Sequence, residues 1–363
     1  MKAASNTTWT GDSPIVRPDP PDGLRAFVLG ATGTAGRATV RALRRAGHAV
    51  VCLVRSGPTS EEIDAVRRAA DLPPDIELRA GDVTDAASLR RDGFRGERFD
   101  VLVSCLASRT GVPADAWAID HRAHVLALEA AKEAGVRHVV LLSAICVQKP
   151  RLAFQHAKLA FERALIDSGL RYSIVRPTAF FKSLSGQVER VRDGKPFLLF
   201  GDGTLTACKP IGDDDLGNYL AGCLSDPARH DRVLPVGGPG AAITPREQGE
   251  ALFAMTGRSP RFRSVPIRMF DVAGAVLEPL GRISSAAARK AELARIGRYY
   301  ATESMLVLDP VTGRYDAAAT PSTGSETLFD FYRSLLDGSA SVERGEHALF
   351  RKRRRREGID VTR

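Results

Sequence analysis

The chain has 363 residues, of which 44% are hydrophobic and 26% are charged, the balance of a soluble globular protein with a sizeable core. The net charge is +9, but an unbroken basic run at residues 351–356 carries much of that excess, so the body is not a basic nucleic-acid surface. The five cysteines are scattered without CxxC spacing, which argues against a disulfide framework and against a metal site.

The elements predicted along the chain alternate between strands and helices. Strands are predicted at residues 25–29, 49–54, 76–79, 101–104, 138–142 and 172–175, and helices at residues 39–46, 116–134 and 154–168. Continuous apolar strands that alternate with helices are typical of parallel βαβ units whose sheet is covered on both faces. The predicted fold class is therefore α/β: a Rossmann-type doubly wound parallel sheet with a smaller C-terminal substrate-binding part.

Composition divides the chain into four predicted segments. These are a flexible, Pro-rich leader (residues 1–23), an NADP-binding Rossmann domain (24–176), a substrate-binding part (177–336) and a basic tail (337–363). The leader lacks the apolar segment of a signal peptide, and no stretch approaches the ~18 apolar residues of a transmembrane helix. We therefore predict a cytoplasmic protein. The basic run is typical of a solvated tail; its functional interpretation is contact with an anionic membrane surface rather than with nucleic acid.

A glycine-rich turn joins the first strand to the first helix. Residues 30–36 read Gly-Ala-Thr-Gly-Thr-Ala-Gly, in the context that a dinucleotide fingerprint requires. The first glycine allows the tight turn, the second lets the backbone approach the pyrophosphate, and the third lets helix and strand pack closely. The helix N-terminus offers free N–H groups to the phosphates. The turn's predicted cofactor contacts are Gly30, Thr32, Gly33, Thr34 and Gly36.

The end of the second strand predicts the choice between NAD and NADP. NAD enzymes usually carry an acidic residue there, bonded to the ribose 2′-hydroxyl. Here the strand ends at Arg55, and no acid follows before Glu61. A guanidinium can bind a 2′-phosphate through two hydrogen bonds, and Arg37 is a second candidate cation. The sequence therefore predicts NADPH as the cofactor.

The GxxGxxG spacing resembles the extended and atypical short-chain dehydrogenase/reductases. The resemblance implies that Asp82 and Val83, after the third strand, contact adenine, and that Ser143 stands at the catalytic serine position. It also places residues 154–158, Phe-Gln-His-Ala-Lys, at the YxxxK motif. The lysine, Lys158, is therefore a predicted catalytic and cofactor-binding residue.

Phe154 replaces the tyrosine of that motif, and phenylalanine cannot transfer a proton. Three interpretations stay open. The enzyme reduces a carbon–carbon double bond with another proton donor; or the protein is a nucleotide-sensing or RNA-binding member without catalysis; or the motif lies elsewhere. Lys158 follows Phe154 by four residues on the same helix face, which supports the alignment.

The second half resembles the NADPH-dependent 8-vinyl reductases of divinyl chlorophyllide and protochlorophyllide. The similar blocks lie at residues 172–187, 200–203, 207–211, 235–240, 247–250 and 297–308. That family also lacks the tyrosine. The resemblance implies reduction of the 8-vinyl group of a Mg-tetrapyrrole to ethyl. Hydride would add to the terminal vinyl carbon and a proton to its neighbour, so no alkoxide forms and no tyrosine is needed.

The resemblance also gives roles to further side chains. Lys158 would hold the nicotinamide ribose and relay a proton, with water and His156 as other donors. Aromatic side chains predicted to line a flat pigment pocket, or alternatively to be plain core, are Phe180, Phe181 and Phe200. Lysines predicted to pair with the pigment propionate are Lys182 and Lys209.

Three alternatives outside this family stay open: a redox-sensing NADP-binding regulator without catalysis, an RNA-binding short-chain protein, and an isoflavone-reductase-like enzyme acting on other conjugated alkenes. Because chlorophyllides are amphipathic, we also predict that the basic tail brings the protein to the photosynthetic membrane. No nucleic-acid partner is predicted.

Overall fold

The computed structural model describes residues 23–55, 57 and 59–341. Residues 1–22 of the predicted leader and the basic run at residues 351–356 lie outside the described residues, so the predictions made for them stay predictions.

A seven-stranded parallel sheet organises the described part of the chain. Its strands are β1 (Arg25–Leu29), β2 (Ala49–Val54), β3 (Glu77–Ala80), β4 (Val101–Ser104), β5 (His138–Leu142), β6 (Arg171–Pro177) and β8 (Arg232–Val236). The strand order is β3-β2-β1-β4-β5-β6-β8, and every neighbouring pair is parallel. The chain reverses direction across the sheet between β1 and β4, where such folds form a ligand crevice. The predicted Rossmann-type sheet is confirmed.

Helices cover both faces of this sheet. The α-helices of the described residues, which include those of a smaller lobe, are α1 (Thr34–Arg45), α2 (Ser60–Ala69), α3 (Ala86–Ser88), α4 (Pro113–Ala116), α5 (His124–Glu133), α6 (Ala153–Ile166), α7 (Phe181–Leu184), α8 (Val188–Arg192), α9 (Asp213–Gly222), α10 (Pro245–Met255), α11 (Arg268–Gly281), α12 (Ser285–Thr302) and α13 (Leu328–Asp337). In β1, Ala26 and Val28 pack into one core cluster, while Phe27 and Leu29 pack into the cluster on the opposite face. Two buried faces explain why this strand is apolar throughout.

Two predicted helices differ from the structure. The first begins at Thr34 rather than at residue 39, because Gly33 already adopts the extended conformation of an N-cap. The predicted helix at residues 116–134 is divided: α4 is followed by a π-helical stretch, Trp117–Ala123, and then by α5. A π-helical stretch inserts an extra residue per turn and often marks a functional site.

The second half of the chain contributes to the Rossmann sheet. Strand β8 pairs with β6, and α9 packs so closely on α1 that a Cβ at Gly217 would lie 2.6 Å from the Ala38 carbonyl carbon. The sheet therefore includes residues on both sides of position 176, where composition changes.

The remaining elements build a smaller lobe. Strands β7 (Phe197–Phe200) and β9 (Phe262–Val265) form a parallel pair, and β10 (Val307–Leu308) and β11 (Tyr315–Asp316) form an antiparallel pair. A separate core joins α7, α8, β7, α10 and α13. Helices α11 and α12 form a hairpin beside it.

Candidate active site

The glycine turn has the shape that its sequence predicts. Gly30 has φ +74°, and a Cβ there would lie 2.6 Å from the carbonyl oxygen of Cys105, beyond the end of β4. A Cβ at Gly36 would lie only 2.0 Å from the Gly30 carbonyl oxygen, so only glycine lets α1 pack on the turn. Gly33, by contrast, is exposed and caps α1 without any side-chain acceptor. The first N–H groups of α1 are thus free to bind an anion.

Lys182 lies at this turn. Its Nζ donates to Thr34 Oγ1, at the first residue of α1, over 3.2 Å. Lys209, predicted to share a propionate with it, donates instead to the Thr320 carbonyl at 2.9 Å and to Ser322 Oγ at 3.2 Å. The structure therefore does not bring the two lysines together. An ammonium beside the free N-terminus of α1 suits a dinucleotide phosphate, a role that sequence reasoning missed because α7 is far away in the chain.

Arg55 and Asp82 meet at the carboxyl edge of the sheet, after β2 and β3. Two hydrogen bonds from Thr84 to Asp82 Oδ1, at 2.8 and 2.7 Å, lower the pKa of that carboxyl, and the charge of Arg55 lowers it further. The Arg55 side chain is exposed, and Val83 packs partly against the core beneath. The edge thus presents an exposed guanidinium beside the position predicted for adenine.

Arg37 has different neighbours. It lines a cleft of about 360 Å³ together with Asp213 and Glu326. Burial raises the pKa of Asp213, whose Oδ1 is buried and has no hydrogen-bond partner in the described part of the chain, and burial also raises the pKa of Glu326. Arg37 therefore offsets buried negative charge where α1 and α9 meet, which leaves Arg55 as the better placed of the two predicted 2′-phosphate ligands.

The Arg55→Glu variant is expected to weaken NADPH binding about tenfold or more while changing NADH binding little, because the added carboxylate repels only the 2′-phosphate. Fluorescence titration with both coenzymes measures the ratio. Arg163→Glu, the same charge change at an exposed position on α6, is the matched control. An equal loss for NADPH and NADH would contradict this role of Arg55.

Lys158 is held by a carboxylate that sequence reasoning missed. Its Nζ lies 3.0 Å from Asp120 Oδ1, and Asp120 is only 1% exposed. The same oxygen accepts the Ser108 N–H at 3.3 Å, whereas Asp120 Oδ2 is buried without a partner among the described residues. Asp120 lies in the π-helical stretch, a conformation that amphipathic periodicity does not reveal. The ammonium is therefore fixed in orientation next to the end of β4.

His124 is hydrogen-bonded between the end of β4 and the π-helical stretch that carries Asp120. Its Nδ1 lies 2.8 Å from the Ile119 carbonyl oxygen and its Nε2 lies 2.8 Å from Ser104 Oγ. Since a carbonyl only accepts, a neutral ring carries its proton on Nδ1 and accepts the Ser104 hydroxyl proton at Nε2. Burial, with the nearby charge of Lys158, lowers the pKa of His124 to about 4. The ring is thus neutral near pH 7.

This histidine makes stability depend on pH. Between about pH 6.5 and pH 4 the unfolded chain binds the proton and the folded chain does not, so the free energy of unfolding falls as pH falls through that window. We expect a loss of roughly 2 kcal/mol from His124 between pH 7 and pH 5, measured by urea unfolding. His124→Gln should reduce the slope in this window, and His156→Gln, at an exposed position, is the control. Equal slopes for all three proteins would contradict the prediction.

Ser143 belongs to another network. Its hydroxyl donates to Glu162, a buried carboxylate that is also paired with Arg176 of β6. Glu162 lies one turn after Lys158 on α6. Ser143 therefore contacts Glu162, whereas Lys158 contacts Asp120. The catalytic role predicted for Ser143 stays a prediction. In the structure, the hydroxyl that this role would use is hydrogen-bonded to Glu162.

Phe154 faces the second half of the chain. Its ring and Ile296 of α12 approach each other around Gly111, where a Cβ would lie 3.8 Å from the phenylalanine and 3.2 Å from the isoleucine. One turn further along α12, the Tyr300 hydroxyl lies 3.9 Å from Cys146 Sγ. Helix α12 therefore completes this side of the site. In the sequence, the adjacent tyrosines 299 and 300 were marked only as part of the family-similar block at residues 297–308.

The three phenylalanines predicted to line a pigment pocket have separate surroundings. Phe181 is 2% exposed and packs on Phe331, with ring centroids 5.5 Å apart, in the core of the smaller lobe. Phe180 packs against the core of the main sheet, while Phe200 packs on Phe270 of α11 at 5.1 Å. Core packing, the alternative considered from the sequence, describes Phe181, whereas Phe180 and Phe200 are both partly exposed.

Comparison with known proteins identifies relatives of this chain. A family described as NAD(P)H-binding matches residues 30–227. Divinyl chlorophyllide a 8-vinyl-reductase of Oryza sativa subsp. indica is 48% identical over 91% of this chain and 83% of its own length. The enzyme of that name from Arabidopsis thaliana is 46% identical over 92% of this chain and 82% of its own.

The chain belongs to the divinyl chlorophyllide a 8-vinyl-reductase family. The family predicted from the sequence is thereby confirmed. The NADPH complex of an Escherichia coli quinone oxidoreductase has a TM-score of 0.61 to this chain at 19% identity, covering 85% of this chain and 99% of its own. At that identity the likeness concerns the Rossmann fold alone.

In the part of the chain that the structure describes, no helix combines the length and the hydropathy needed to cross a bilayer.

Proposed function

We propose that the protein uses NADPH to reduce the 8-vinyl group of divinyl chlorophyllide a or divinyl protochlorophyllide to an ethyl group. One observation carries the proposal: identity of nearly one half with 8-vinyl reductases extends over about nine tenths of the chain, and so includes the smaller lobe as well as the Rossmann sheet. Specificity for a pigment depends on the lobe, since the Rossmann sheet is shared by many unrelated activities.

The residues present fit NADPH. The open N-terminus of α1 and Lys182 would bind the pyrophosphate, and Arg55 the 2′-phosphate, with Asp82 and Val83 next to the adenine. Lys158, oriented by Asp120, would hold the nicotinamide ribose. When bound, NADPH supplies a hydride. A buried, pre-oriented ammonium also favours negative charge that develops nearby.

Phenylalanine at position 154, in place of the motif tyrosine, supports reduction of an alkene rather than of a ketone. An alkene conjugated to the macrocycle accepts hydride at its terminal carbon, and the negative charge spreads into the ring. The proton then goes to the adjacent carbon, so the protein needs no acid beside a carbonyl oxygen. The apolar ring of Phe154, next to Ile296 and Gly111, would exclude water from this position.

The pigment contacts are proposed on fewer residues. Phe200 and Phe180 are partly exposed in the structure and would contact the macrocycle, with Phe181 supporting them from the core. Lys209 is proposed for the propionate, which would displace its bonds to Thr320 and Ser322. We also propose work at the surface of the photosynthetic membrane, since the substrate is amphipathic.

The test is incubation of the purified full chain with NADPH and each divinyl pigment, followed by chromatography of the products. We expect the monovinyl pigment to appear in proportion to NADPH consumed. Tight NADPH binding without any monovinyl product would instead favour the NADP-sensing regulator, which shares the fold and not the reaction.

A further inference from the structure

Helix α11 presents an apolar stripe to solvent. Its exposed side chains are Met269 (51%), Val272 (63%), Val276 (58%) and Leu280 (45%), followed just beyond the helix by Ile283 (86%). Spacings of three and four residues put them on one helix face. Isolated exposed apolar residues are ordinary, whereas a continuous row of five is typical of a surface that binds something.

The opposite side of α11 packs against α12. Phe270 packs so closely on Gly297 that a Cβ at this glycine would lie 2.6 Å from its ring. The acidic residues of α11 are paired with α12 as well: Asp271 Oδ1 accepts from Arg298, and Glu278 Oε1 accepts from Arg295 at 2.8 Å. The hairpin is thus stable without a partner, and its negative charges are neutralised within it.

Positive charges flank the stripe. Arg268 precedes it, and Arg282, Arg289 and Lys290 follow it, all of them exposed. None of the four has an acidic partner among the described residues. An apolar row with free cations at both ends is the pattern of a helix that lies in the interface of an anionic bilayer.

We propose that the α11 stripe, residues 269–283, docks the protein on an anionic lipid surface. The charges decide between occupants. A two-fold contact between copies of this chain would bring the same unpaired cations toward each other, which is unfavourable. Nucleic acid would pair with the cations and leave the apolar row exposed to water. A bilayer with anionic headgroups would pair with the cations and also bury the apolar row. The inference depends on this surface and not on the proposed reaction.

The test is flotation of the full chain with vesicles of phosphatidylcholine containing about one third phosphatidylglycerol, and with pure phosphatidylcholine vesicles. We expect binding to the anionic vesicles only. Val272→Ser with Val276→Ser should lower the bound fraction about tenfold, and Arg282→Glu with Lys290→Glu should abolish it. Val311→Ser, at a valine 91% exposed on a distant turn, is the matched control and should bind normally.

Three outcomes would overturn the proposal. The double serine variant binds as the wild type does; or the wild type ignores both vesicle types; or the wild type forms a dimer in lipid-free solution that the double serine variant dissolves, which would assign the stripe to a second copy. NADPH affinity, measured in the same samples, reports that each variant is folded.

The position of Tyr300 bears on a separate question, the source of the proton that the vinyl group would take up. The residue as a whole is 44% exposed, yet its hydroxyl lies 3.9 Å from the buried Cys146 thiol. Burial raises the pKa of that thiol, and Lys158 is near enough for its charge to act in the opposite direction. Ile296, one turn earlier on the same face of α12, approaches Phe154 around Gly111. Phe154 packs against the core cluster that contains Cys146, so this hydroxyl from the smaller lobe lies at the cluster that also borders the position where the motif lacks one.

We infer that Tyr300 donates the proton in the reaction proposed above, on which this inference rests. The vinyl group takes two electrons with the hydride at its terminal carbon; the O–H bond of Tyr300 breaks, and its proton forms the C–H bond at the adjacent carbon. The tyrosinate then takes a proton from water, so the sum is one alkene, one NADPH and one proton consumed. Burial raises the pKa of Tyr300, which keeps the hydroxyl protonated at neutral pH.

The Tyr300→Phe variant should lower kcat about a hundredfold with KM within about twofold of the wild type, and should change the solvent deuterium isotope effect. Tyr299→Phe is the control: that hydroxyl donates to the carbonyls of Cys146 and Lys149 at 2.8 and 3.1 Å, so its loss should lower the melting temperature and leave the isotope effect unchanged. Phe154→Tyr added to Tyr300→Phe should restore part of kcat, since it returns a hydroxyl to this place.

A wild-type kcat and isotope effect in Tyr300→Phe would overturn this inference alone. A wild-type chain that forms no monovinyl pigment would overturn it together with the proposed function.

Discussion

The Lys158→Ala variant is expected to lose at least about a hundredfold in kcat for the monovinyl product. Among the described residues, the Lys158 ammonium is the only cation paired with Asp120 Oδ1, and it would hold the nicotinamide ribose in position. Positioning of a reacting group is worth several kcal/mol, so loss of this contact affects turnover more than binding. Chromatography of the pigment under saturating NADPH measures the change.

A structural effect must be separated from the catalytic one. Removing Lys158 leaves the buried Asp120 carboxylate without a counter-ion, and an uncompensated buried charge costs about 3–5 kcal/mol of stability. Lys158→Met combined with Asp120→Asn removes both charges and keeps the volume, so this double variant should fold and stay inactive. Lys132→Ala, at an exposed lysine on α5, is the control for lysine loss. Full turnover in the folded double variant would remove Lys158 from the mechanism.

Phe154→Tyr is the companion to this variant. The ring keeps its place beside Gly111, and the added hydroxyl has no alkoxide to protonate. We therefore expect conversion to continue. Loss of conversion, with NADPH affinity unchanged, would show that an apolar edge is required at this position.

The sheet and the glycine turn were predictable because their causes are local. An apolar run buried on both faces gives β1, Gly30 is required by its φ of +74°, and Gly36 is required by a contact within the turn itself. A family resemblance adds the residues that follow β3 and β5, since parallel strands all end at one edge of the sheet.

The partners of these residues were not predictable, because they come from segments far away in the chain. Asp120 reaches Lys158 from a π-helical stretch, Lys182 reaches Thr34 across 148 positions, and Tyr300 reaches Cys146 across 154. No periodicity in the sequence encodes such contacts. The predicted pigment pocket shows the same limit: Phe180 and Phe181 are neighbours in the chain, yet they pack into different cores.

Alanine should destabilise the fold at Gly36, whereas at Gly33 it should weaken NADPH binding without destabilising the fold. In Gly36→Ala the new Cβ would lie 2.0 Å from the Gly30 carbonyl oxygen, which is backbone and cannot move aside, so α1 must shift away from β1. We expect a loss of about 3 kcal/mol or more in the free energy of unfolding, measured by urea denaturation. NADPH binding should be lost with it.

Gly33→Ala separates binding from folding at the same turn. Gly33 has φ −76°, which alanine adopts readily, and its Cβ would meet only the Gly30 carbonyl oxygen at 3.4 Å, an ordinary contact. The melting temperature should therefore stay near that of the wild type. The methyl group would occupy the space through which a pyrophosphate approaches the backbone, so NADPH affinity should fall about a hundredfold. Gly186→Ala, which meets nothing within 4 Å, is the control and should change neither quantity. Wild-type NADPH affinity in a stable Gly33→Ala protein would mean that the coenzyme phosphates bind away from α1, and the cofactor contacts proposed for Lys182 and Lys158 would fail with that result.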